Sequence, residues 1–295
     1  MVKTYGEVYR QIKTLLQQAE DMQPAETARE LLAFAAGHTT AQIMGMQNDP
    51  VPESVSKSCF SAVGQILAGK PLAYILGNRG FYGFEFTVTQ DVLIPRDDTM
   101  AVVDLALEQR GCMPARPRIL DLCTGSGCIG LVLAKKMSDA KVTLVDVSEK
   151  ALRIAKKNAV DLQLSGRTTC IAADVLRPAD AFLGMFDMIV SNPPYITDEE
   201  MKTLEISVKD YEPHLALCGG NDGLKFYRAI VANFTAALKP GGFLCFEFGL
   251  GQERAVCEIL KENDYIILEL RKDLGGIVRA VLAQKKERYR SNGNG

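Results

Sequence analysis

Residues 120–130 read LDLCTGSGCIG, an apolar strand followed by a glycine-containing turn and the start of a helix. Glycine lets a ligand approach the main chain closely, so a turn of this kind can hold a cofactor. The motif is weak by itself, because dinucleotide-binding sites use a similar glycine turn. What it binds therefore has to be read from the polar residues that follow it along the chain.

Strands and helices alternate around this turn, which is typical of a doubly wound α/β fold with a largely parallel sheet. We expect seven strands, at about residues 118–122, 141–145, 168–172, 186–191, 242–248, 265–270 and 277–283. Helices are expected between them, at about residues 128–137, 149–161, 223–238 and 252–262. In such a sheet, ligands bind at the carboxyl ends of the strands.

The residues before the sheet divide into two segments. Residues 1–70 carry apolar residues at helical spacing and no strand signal, so they predict a domain of three or four short helices. Residues 71–95 alternate aromatic and polar residues, with glycines at turn positions, and predict a β-hairpin that links the two domains. We expect the sheet domain over residues 96–285 and a flexible polar tail over residues 286–295.

Composition argues against several classes of protein. The 295 residues are 47% hydrophobic and 24% charged, which is ordinary for a soluble globular protein. A net charge of −2 argues against a protein whose main work is wrapping nucleic acid. No apolar run reaches the roughly 18 residues that a spanning helix needs, and the first residues resemble neither a signal nor a transit peptide. We therefore expect a cytoplasmic protein with no membrane contact.

Cysteine and histidine usage argues against a metal site. The eight cysteines are scattered without a CxxC pair or zinc spacing, and there are only two histidines. Most of the cysteines lie in apolar stretches, as Cys245 does, so buried reduced thiols are expected. The chain therefore predicts neither a metal nor a histidine-based triad.

Acidic residues follow the next two predicted strands. Asp146 comes about 20 positions after the glycine turn, where a carboxylate can hold ribose hydroxyls. Asp174 follows the third strand and is placed to meet an adenine amino group. Polar groups at the carboxyl ends of three successive strands fit an adenosine ligand, although either aspartate alone could be a helix cap.

Residues 191–195, SNPPY, end the apolar run 186–190. Two prolines cannot continue a sheet ladder, so the chain leaves the sheet at Asn192. The Asn192 and Pro193 carbonyls can together grip an –NH₂ group and leave its lone pair pointing outward. We expect the Asn192 NH₂ to donate to a fixed neighbour that orients the side chain. Tyr195 can lie against a planar group or face a cation.

Together, residues 121–127, Asp146 and residues 192–195 resemble a class I methyltransferase that uses S-adenosylmethionine. The Asn-Pro-Pro-Tyr loop is similar to that of enzymes that methylate a planar nitrogen, either adenine N6 or a glutamine amide. Five further stretches closely resemble the HemK/PrmC family of release factor glutamine methyltransferases: PLAYILG at 71–77, IPR at 94–96, EPHLAL at 212–217, GGNDGL at 219–224 and YR at 227–228. The resemblance covers nearly the whole chain and implies a doubly wound, seven-stranded Rossmann-like methyltransferase domain with a small N-terminal helical bundle and a linking β-hairpin.

The resemblance also implies a reaction and a set of site residues. The reaction is methyl transfer from S-adenosylmethionine to the glutamine of the Gly-Gly-Gln loop of class 1 peptide chain release factors, which the helical bundle and hairpin would dock. The implied cofactor-binding residues are Asp121, Cys123, Thr124, Gly125, Ser126, Gly127, Asp146, Val147, Asp174, Val175 and Asn192. The implied substrate-binding residues are Asn192, Pro193, Pro194 and Tyr195. Of these, Asn192, Pro193 and Tyr195 are implied to be catalytic, and Arg96 and Thr99 are further candidates. We expect a monomer without direct contact to nucleic acid.

Three positions depart from the family pattern, and three alternatives stay open. Cys123 stands where the family usually has glycine, and Asp97 and Met100 replace the usual Pro and Glu. A nucleic-acid adenine methyltransferase would need a basic groove and usually a target-recognition insert, and the sequence displays neither. Methylation of a glutamine in a ribosomal protein is a second alternative, because the sequence does not reveal which protein substrate the N-terminal residues recognise. A non-catalytic protein that binds an adenosine cofactor is the third.

Overall fold

The seven-stranded sheet is present in the computed structural model, which describes residues 3–18 and 23–287. The chain divides into two units, one of Met1–Asn78 with Ile206–Tyr211 and the other of Arg79–Glu205 with Glu212–Gly295. Of the tail expected at 286–295, residues 288–295 lie outside the described residues. Within the described ranges, no helix is both long and apolar enough to cross a membrane.

The first unit is helical. In the first helix, α1 (Tyr5–Leu16), apolar residues at helical spacing such as Val8, Ile12 and Leu16 are fully buried. Thr4 and Glu7 form a capping box at the start of α1, and Gly37 ends α2 (Pro24–Ala36) in the left-handed region. The helices are α1 (Tyr5–Leu16), α2 (Pro24–Ala36), α3 (Thr40–Gly45), α4 (Glu53–Leu67) and α5 (Leu72–Leu76), with α9 (Ile206–Lys209) from later in the chain.

The predicted hairpin is shorter than residues 71–95, and this part of the prediction was wrong. Within residues 71–77, Leu72–Leu76 form the helix α5 rather than part of the hairpin, because Pro71 precedes the helix and Gly77 ends it at φ 76°. The hairpin itself pairs β1 (Asn78–Phe81) with β2 (Phe84–Thr87). Tyr82 and Gly83 between them have φ of 52° and 81°, as a type I′ turn requires.

The large sheet has the strand order β10-β11-β9-β6-β3-β4-β5. Strands β5, β4, β3, β6 and β9 are parallel, and β11 is antiparallel to both β9 and β10. The chain order reverses between β3 and β6, which makes the carboxyl ends of these strands the topological switch point. The strands are β3 (Arg118–Leu122), β4 (Lys141–Asp146), β5 (Thr168–Ala172), β6 (Phe186–Ser191), β9 (Leu238–Glu247), β10 (Tyr265–Lys272) and β11 (Val278–Lys285), and a short separate pair is β7 (Ile196–Thr197) with β8 (Cys218–Gly220).

Helices cover both faces of the sheet. On β6, Met188 and Val190 pack into one apolar cluster, whereas Phe186 and Ile189 pack into the other. Every residue of β6 is buried, as expected of a parallel strand that is covered on both faces. The remaining helices are α6 (Met100–Glu108), α7 (Cys128–Lys136), α8 (Glu149–Asp161), α10 (Lys225–Phe234) and α11 (Glu253–Glu262). The predicted doubly wound fold is therefore confirmed.

Two boundaries and the burial of the thiols differ from expectation. Strand β9 begins at Leu238 rather than near 242, because it continues through a Pro-Gly-Gly irregularity with Gly241 at φ 73°. Helix α10 ends at Phe234, and a 3₁₀ turn over Thr235–Ala237 follows it. All eight cysteines are free, but only three are buried, namely Cys59, Cys245 and Cys257.

Candidate active site

The glycine loop between β3 and α7 is held in an unusual backbone conformation. Cys123, Gly125 and Gly127 have φ of 57°, 54° and 82°, which is the left-handed region. The Thr124 N–H donates to the Val145 carbonyl at 2.9 Å, which ties the loop to the neighbouring strand. A Cβ built on Gly125 would meet no protein atom within 4 Å. The loop therefore leaves open space over Gly125.

Asp121 supports this loop from inside the protein. Its side chain is 1% exposed, and its Oδ2 accepts hydrogen bonds from the Thr124 hydroxyl at 2.6 Å and the Gly130 N–H at 3.0 Å. Burial raises the pKa of the Asp121 carboxyl to about 7, against the lowering effect of these two donors. The carboxylate therefore fixes the shape of the glycine loop and does not line the pocket beyond it.

Asp146 connects the glycine loop with the end of β4. Its Oδ2 accepts the Gly125 N–H and its Oδ1 accepts the Ser148 N–H, both at 2.9 Å. The cap of α8 is Ser148, whose hydroxyl accepts the Ala151 N–H at 3.2 Å. Asp146 is therefore not the cap of that helix. Burial raises the pKa of Asp146, partly offset by the backbone donors.

A pocket at the carboxyl ends of β3, β4, β5 and β6 has about 720 Å³ of space free of protein atoms, counting its open mouth. Both polar and apolar predicted residues line it: Cys123, Gly125, Asp146, Val147, Asp174, Val175, Asn192 and Pro194. The structure thus brings these eight together around one space.

The other predicted site residues lie outside the pocket wall. They are Asp121, Thr124, Ser126, Gly127, Pro193, Tyr195, Arg96 and Thr99. Sequence reasoning missed the rest of the wall, which consists of residues 91–93, Ser148, Ala151, Ala173, Pro213, Leu215, Ala216 and Phe226. The IPR and EPHLAL motifs adjoin or include residues 91–93 and 213–216, but these residues carry no side chain whose chemistry indicated a role.

The SNPPY loop is anchored on both sides of its prolines. The Ser191 hydroxyl donates to the Leu122 carbonyl at 2.7 Å, and Gln252 Nε2 donates to the Tyr195 carbonyl at 3.0 Å. Asn192 Nδ2 donates to Thr99 Oγ1 at 3.3 Å. Since the NH₂ half of Asn192 is directed at Thr99, its carbonyl half is the one available to a ligand in the pocket.

Glu247, the last residue of β9, lies behind this loop and was missed by sequence reasoning. It is 2% exposed, and the Tyr195 hydroxyl donates to its Oε1 at 3.4 Å. Burial raises the pKa of Glu247 to about 7, and the pKa of the Tyr195 phenol rises through burial and the nearby Glu247. A carboxylate inside the otherwise apolar run FLCFEF could have indicated from the sequence that Glu247 is a candidate site residue.

Arg96 forms an ion pair with Glu212 rather than lining the pocket. Glu212 is buried, and burial raises its pKa while the Arg96 guanidinium lowers it. Glu212 directly precedes the wall residues Pro213 and Leu215, so this ion pair fixes that part of the wall.

The family departures at 97 and 100 have local partners. Asp97 pairs with Arg79 at 3.2 Å, and Met100 begins α6.

The fold and the pocket at the switch point define a methyltransferase. Residues 105–212 match the "Methyltransferase small domain" family model, and residues 7–77 match the "PrmC N-terminal domain" model. The solved hMettl16 catalytic domain, in complex with MAT2A 3′UTR hairpin 6, superposes with a TM-score of 0.54 at 16% identity, covering 69% of this chain and 76% of that one, and shows the shared fold.

Curated relatives specify the family. The release factor glutamine methyltransferase of Clostridium acetobutylicum is 35% identical over 92% of this chain and 94% of its own. That of Bradyrhizobium diazoefficiens is 39% identical over 88% of this chain and 87% of its own. The chain belongs to the release factor glutamine methyltransferase family.

Proposed function

We propose that this protein transfers a methyl group from S-adenosylmethionine to the side-chain amide nitrogen of the glutamine in the Gly-Gly-Gln loop of class 1 peptide chain release factors. The observation that carries the proposal is the orientation of Asn192 at the pocket, with its NH₂ half bound to Thr99 and its carbonyl half available. The full-length relatives named for this activity support the same assignment.

The residues of the pocket fit S-adenosylmethionine. The open space over Gly125 admits a ligand against the main chain, and the Asp146 carboxylate at the wall suits ribose hydroxyls. Asp174 suits the polar edge of an adenine ring, and the adjacent Val175 suits its apolar face. When bound, S-adenosylmethionine supplies an electrophilic methyl group on a positively charged sulfur. The apolar part of the wall excludes water from that group.

The chain's own task at the reacting centre is to hold an amide nitrogen. An amide nitrogen is a poor nucleophile, because its lone pair is delocalised into the carbonyl. The Asn192 and Pro193 carbonyls would accept the two N–H bonds of the glutamine and hold its lone pair toward the methyl donor. Neither carbonyl is basic enough to keep a proton, so the proton that the nitrogen must finally lose passes to water.

The rest of the proposal concerns the partner. We assign recognition of the release factor to residues 1–70 and the hairpin segment 71–95, and catalysis to residues 96–285. In this proposal the enzyme acts as a monomer in the cytoplasm, where release factors work, and makes no contact with nucleic acid.

A methyl-transfer assay tests the proposal. The protein is incubated with radiolabelled S-adenosylmethionine and, in parallel, a release factor, the same factor with its loop glutamine changed to alanine, a ribosomal-protein mixture and adenine-containing RNA and DNA. We expect label in the intact release factor alone, at the loop glutamine in a peptide digest. Label that persists in the alanine factor, or that enters only ribosomal protein or nucleic acid, refutes the assignment.

A further inference from the structure

We propose that Gln252 is a positioning residue for methyl transfer, because its side chain holds the carboxyl end of the SNPPY loop. The inference deepens the proposed function and rests on it for its kinetic consequence. Gln252 directly precedes α11, and its main-chain carbonyl accepts the Val256 N–H at 3.0 Å. Val256 is fully buried, so the packed start of α11 fixes the main chain from which the Gln252 side chain extends.

The SNPPY loop needs support from its surroundings. Pro193 and Pro194 have no N–H, so neither can donate a main-chain hydrogen bond, and their rings fix φ but not ψ. In the proposed function the Pro193 carbonyl accepts an N–H of the glutamine. The direction of that carbonyl therefore depends on how the two ends of the loop are held. The Ser191 hydroxyl holds the amino end through its bond to the Leu122 carbonyl.

Gln252 holds the carboxyl end with both halves of its side-chain amide. Its Nε2 donates to the Tyr195 carbonyl at 3.0 Å, and its Oε1 accepts the Gly249 N–H at 2.9 Å. The second bond sets the orientation of the amide, because an N–H can pair only with the oxygen half. The NH₂ half is therefore directed at Tyr195, the residue that joins the two prolines to β7.

Two glycines of the GGNDGL motif leave the room that this contact needs. A Cβ on Gly219 would lie 2.7 Å from the Tyr195 Cα and 2.9 Å from the Pro194 carbonyl oxygen. A Cβ on Gly223 would overlap the Tyr195 carbonyl oxygen and Gln252 Nε2, which are the two ends of the hydrogen bond. Close packing against the SNPPY loop thus accounts for glycine at these two positions of the motif.

The segment that carries Gln252 also contacts the Tyr195 ring. The Tyr195 hydroxyl donates to Glu247 at 3.4 Å, and a Cβ on Gly249 would lie 3.0 Å from Tyr195 Cδ2. Residues 247–252 therefore hold Tyr195 by its hydroxyl, its ring edge and its carbonyl. A change at Gln252 releases the carbonyl and leaves the other two contacts in place, so it tests the position of the loop main chain.

The first experiment measures kcat of release factor methylation and the Kd of S-adenosylmethionine for Gln252→Met and Gln252→Glu. Methionine forms neither bond, whereas glutamate keeps the acceptor for Gly249 and places an oxygen against the Tyr195 carbonyl. We expect kcat to fall about 10- to 100-fold in both, as a displacement of about 1 Å at a reacting group does. The Kd should change less than about threefold, because Gln252 does not line the pocket.

A glutamine elsewhere in the sheet provides the matched control. Gln284 Nε2 donates to the Gly241 carbonyl at 2.9 Å, near the amino end of β9 and away from the pocket. Gln284→Met removes a side-chain bond of the same kind, so it should cost similar stability and leave kcat at the wild-type value.

A second pair of variants displaces the loop without changing Gln252. Gly219 is not in the left-handed region, so the effect of Gly219→Ala comes from its contact with the loop alone. We expect kcat to fall about tenfold or more, and the double variant with Gln252→Met to be much faster than the product of the two losses predicts. Gly166→Ala is the control, because a Cβ there would meet none of the described protein atoms within 4 Å.

The second experiment does not depend on turnover. In protein labelled with tyrosine that carries ¹³C at the ring δ positions, the Tyr195 signal is assigned by its loss in Tyr195→Phe. We expect this signal to shift in Gln252→Met and in Gly219→Ala, and to keep its wild-type position in the two control variants.

These measurements separate the two ideas. If the wild type methylates no release factor, the proposed function fails, while the Tyr195 signal still decides whether Gln252 positions the loop. A wild-type kcat in both Gln252 variants, losses that multiply in the double variant, or an unchanged Tyr195 signal in Gln252→Met overturns the positioning role. A Kd that rises as much as kcat falls also overturns it, because the variant then disturbs the whole site. If Gly219→Ala does not fold, the Gln252 variants and their control decide the question.

Discussion

Replacing Asp146 with alanine should weaken cofactor binding and also loosen the glycine loop. The carboxylate accepts the Gly125 and Ser148 N–H groups at 2.9 Å each. Hydrogen bonds to a charged acceptor contribute about 1.5–3 kcal/mol apiece in net terms. The burial that raises the pKa of Asp146 opposes them, and water can reach donors that border the pocket. We therefore expect the free energy of unfolding without ligand to fall by about 1–3 kcal/mol.

The cofactor contributes a further loss. A ribose that loses one charge-assisted partner should bind about 10- to 100-fold more weakly, which corresponds to roughly 1.4–2.8 kcal/mol. Calorimetric titration with S-adenosylmethionine and urea unfolding measure the two effects separately. Asp146→Asn is the matched control: it keeps an acceptor of the same shape, so it should recover much of the stability but little of the affinity. Wild-type affinity in Asp146→Ala would refute the reasoning, because Asp146 would then only brace the loop.

Three further changes have defined outcomes. Asn192→Asp keeps an acceptor but loses the donor to Thr99 and adds a negative charge, so kcat should fall about 100-fold while S-adenosylmethionine binds as well or better; turnover within about threefold of wild type would contradict this. A chain that begins at Pro71 should still bind S-adenosylmethionine in calorimetry but lose most methylation of intact release factor, and full activity would show that residues 1–70 do not recognise it. Asp121→Asn should flatten the pH dependence of stability: the folded pKa of about 7 lies above the unfolded value of 3.8, so wild-type stability is lost as pH rises through this range. The free energy of unfolding is measured in urea at about pH 5 and about pH 8. If it changes with pH as much in Asp121→Asn as in the wild type, the expectation is wrong.

The sheet was predictable because its strands are buried on both faces. Parallel strands covered by helices read as short apolar runs, and β6, buried at every residue, is the clearest case. Residues 71–77 were harder, because a five-residue helix between Pro71 and Gly77 is too short to display helical periodicity. The start of β9 was missed for a related reason, since Pro-Gly-Gly signals a break that the strand passes through by an irregularity.

The candidate site was partly predictable, because its motifs lie at strand ends. Asp146 and Asn192 each follow a strand directly, and parallel topology alone brings such residues to one edge of the sheet. Thr99 and Glu247 could not be placed, because their contacts with Asn192 and Tyr195 come from packing between segments far apart in sequence. The roles assigned to the individual side chains stay predictions until the variants above are measured.

The left-handed backbone of Cys123 has a consequence for inhibitor selectivity. A side chain at φ 57° costs about 1–2 kcal/mol relative to glycine, and this one stands at the pocket wall. Burial raises the pKa of its thiol, so at neutral pH it is a compact uncharged group rather than a reactive thiolate. A competitor shaped to fill the volume that a glycine would leave here would collide with Sγ in this protein. The size of one side chain in the loop would then limit which cofactor analogues the pocket admits.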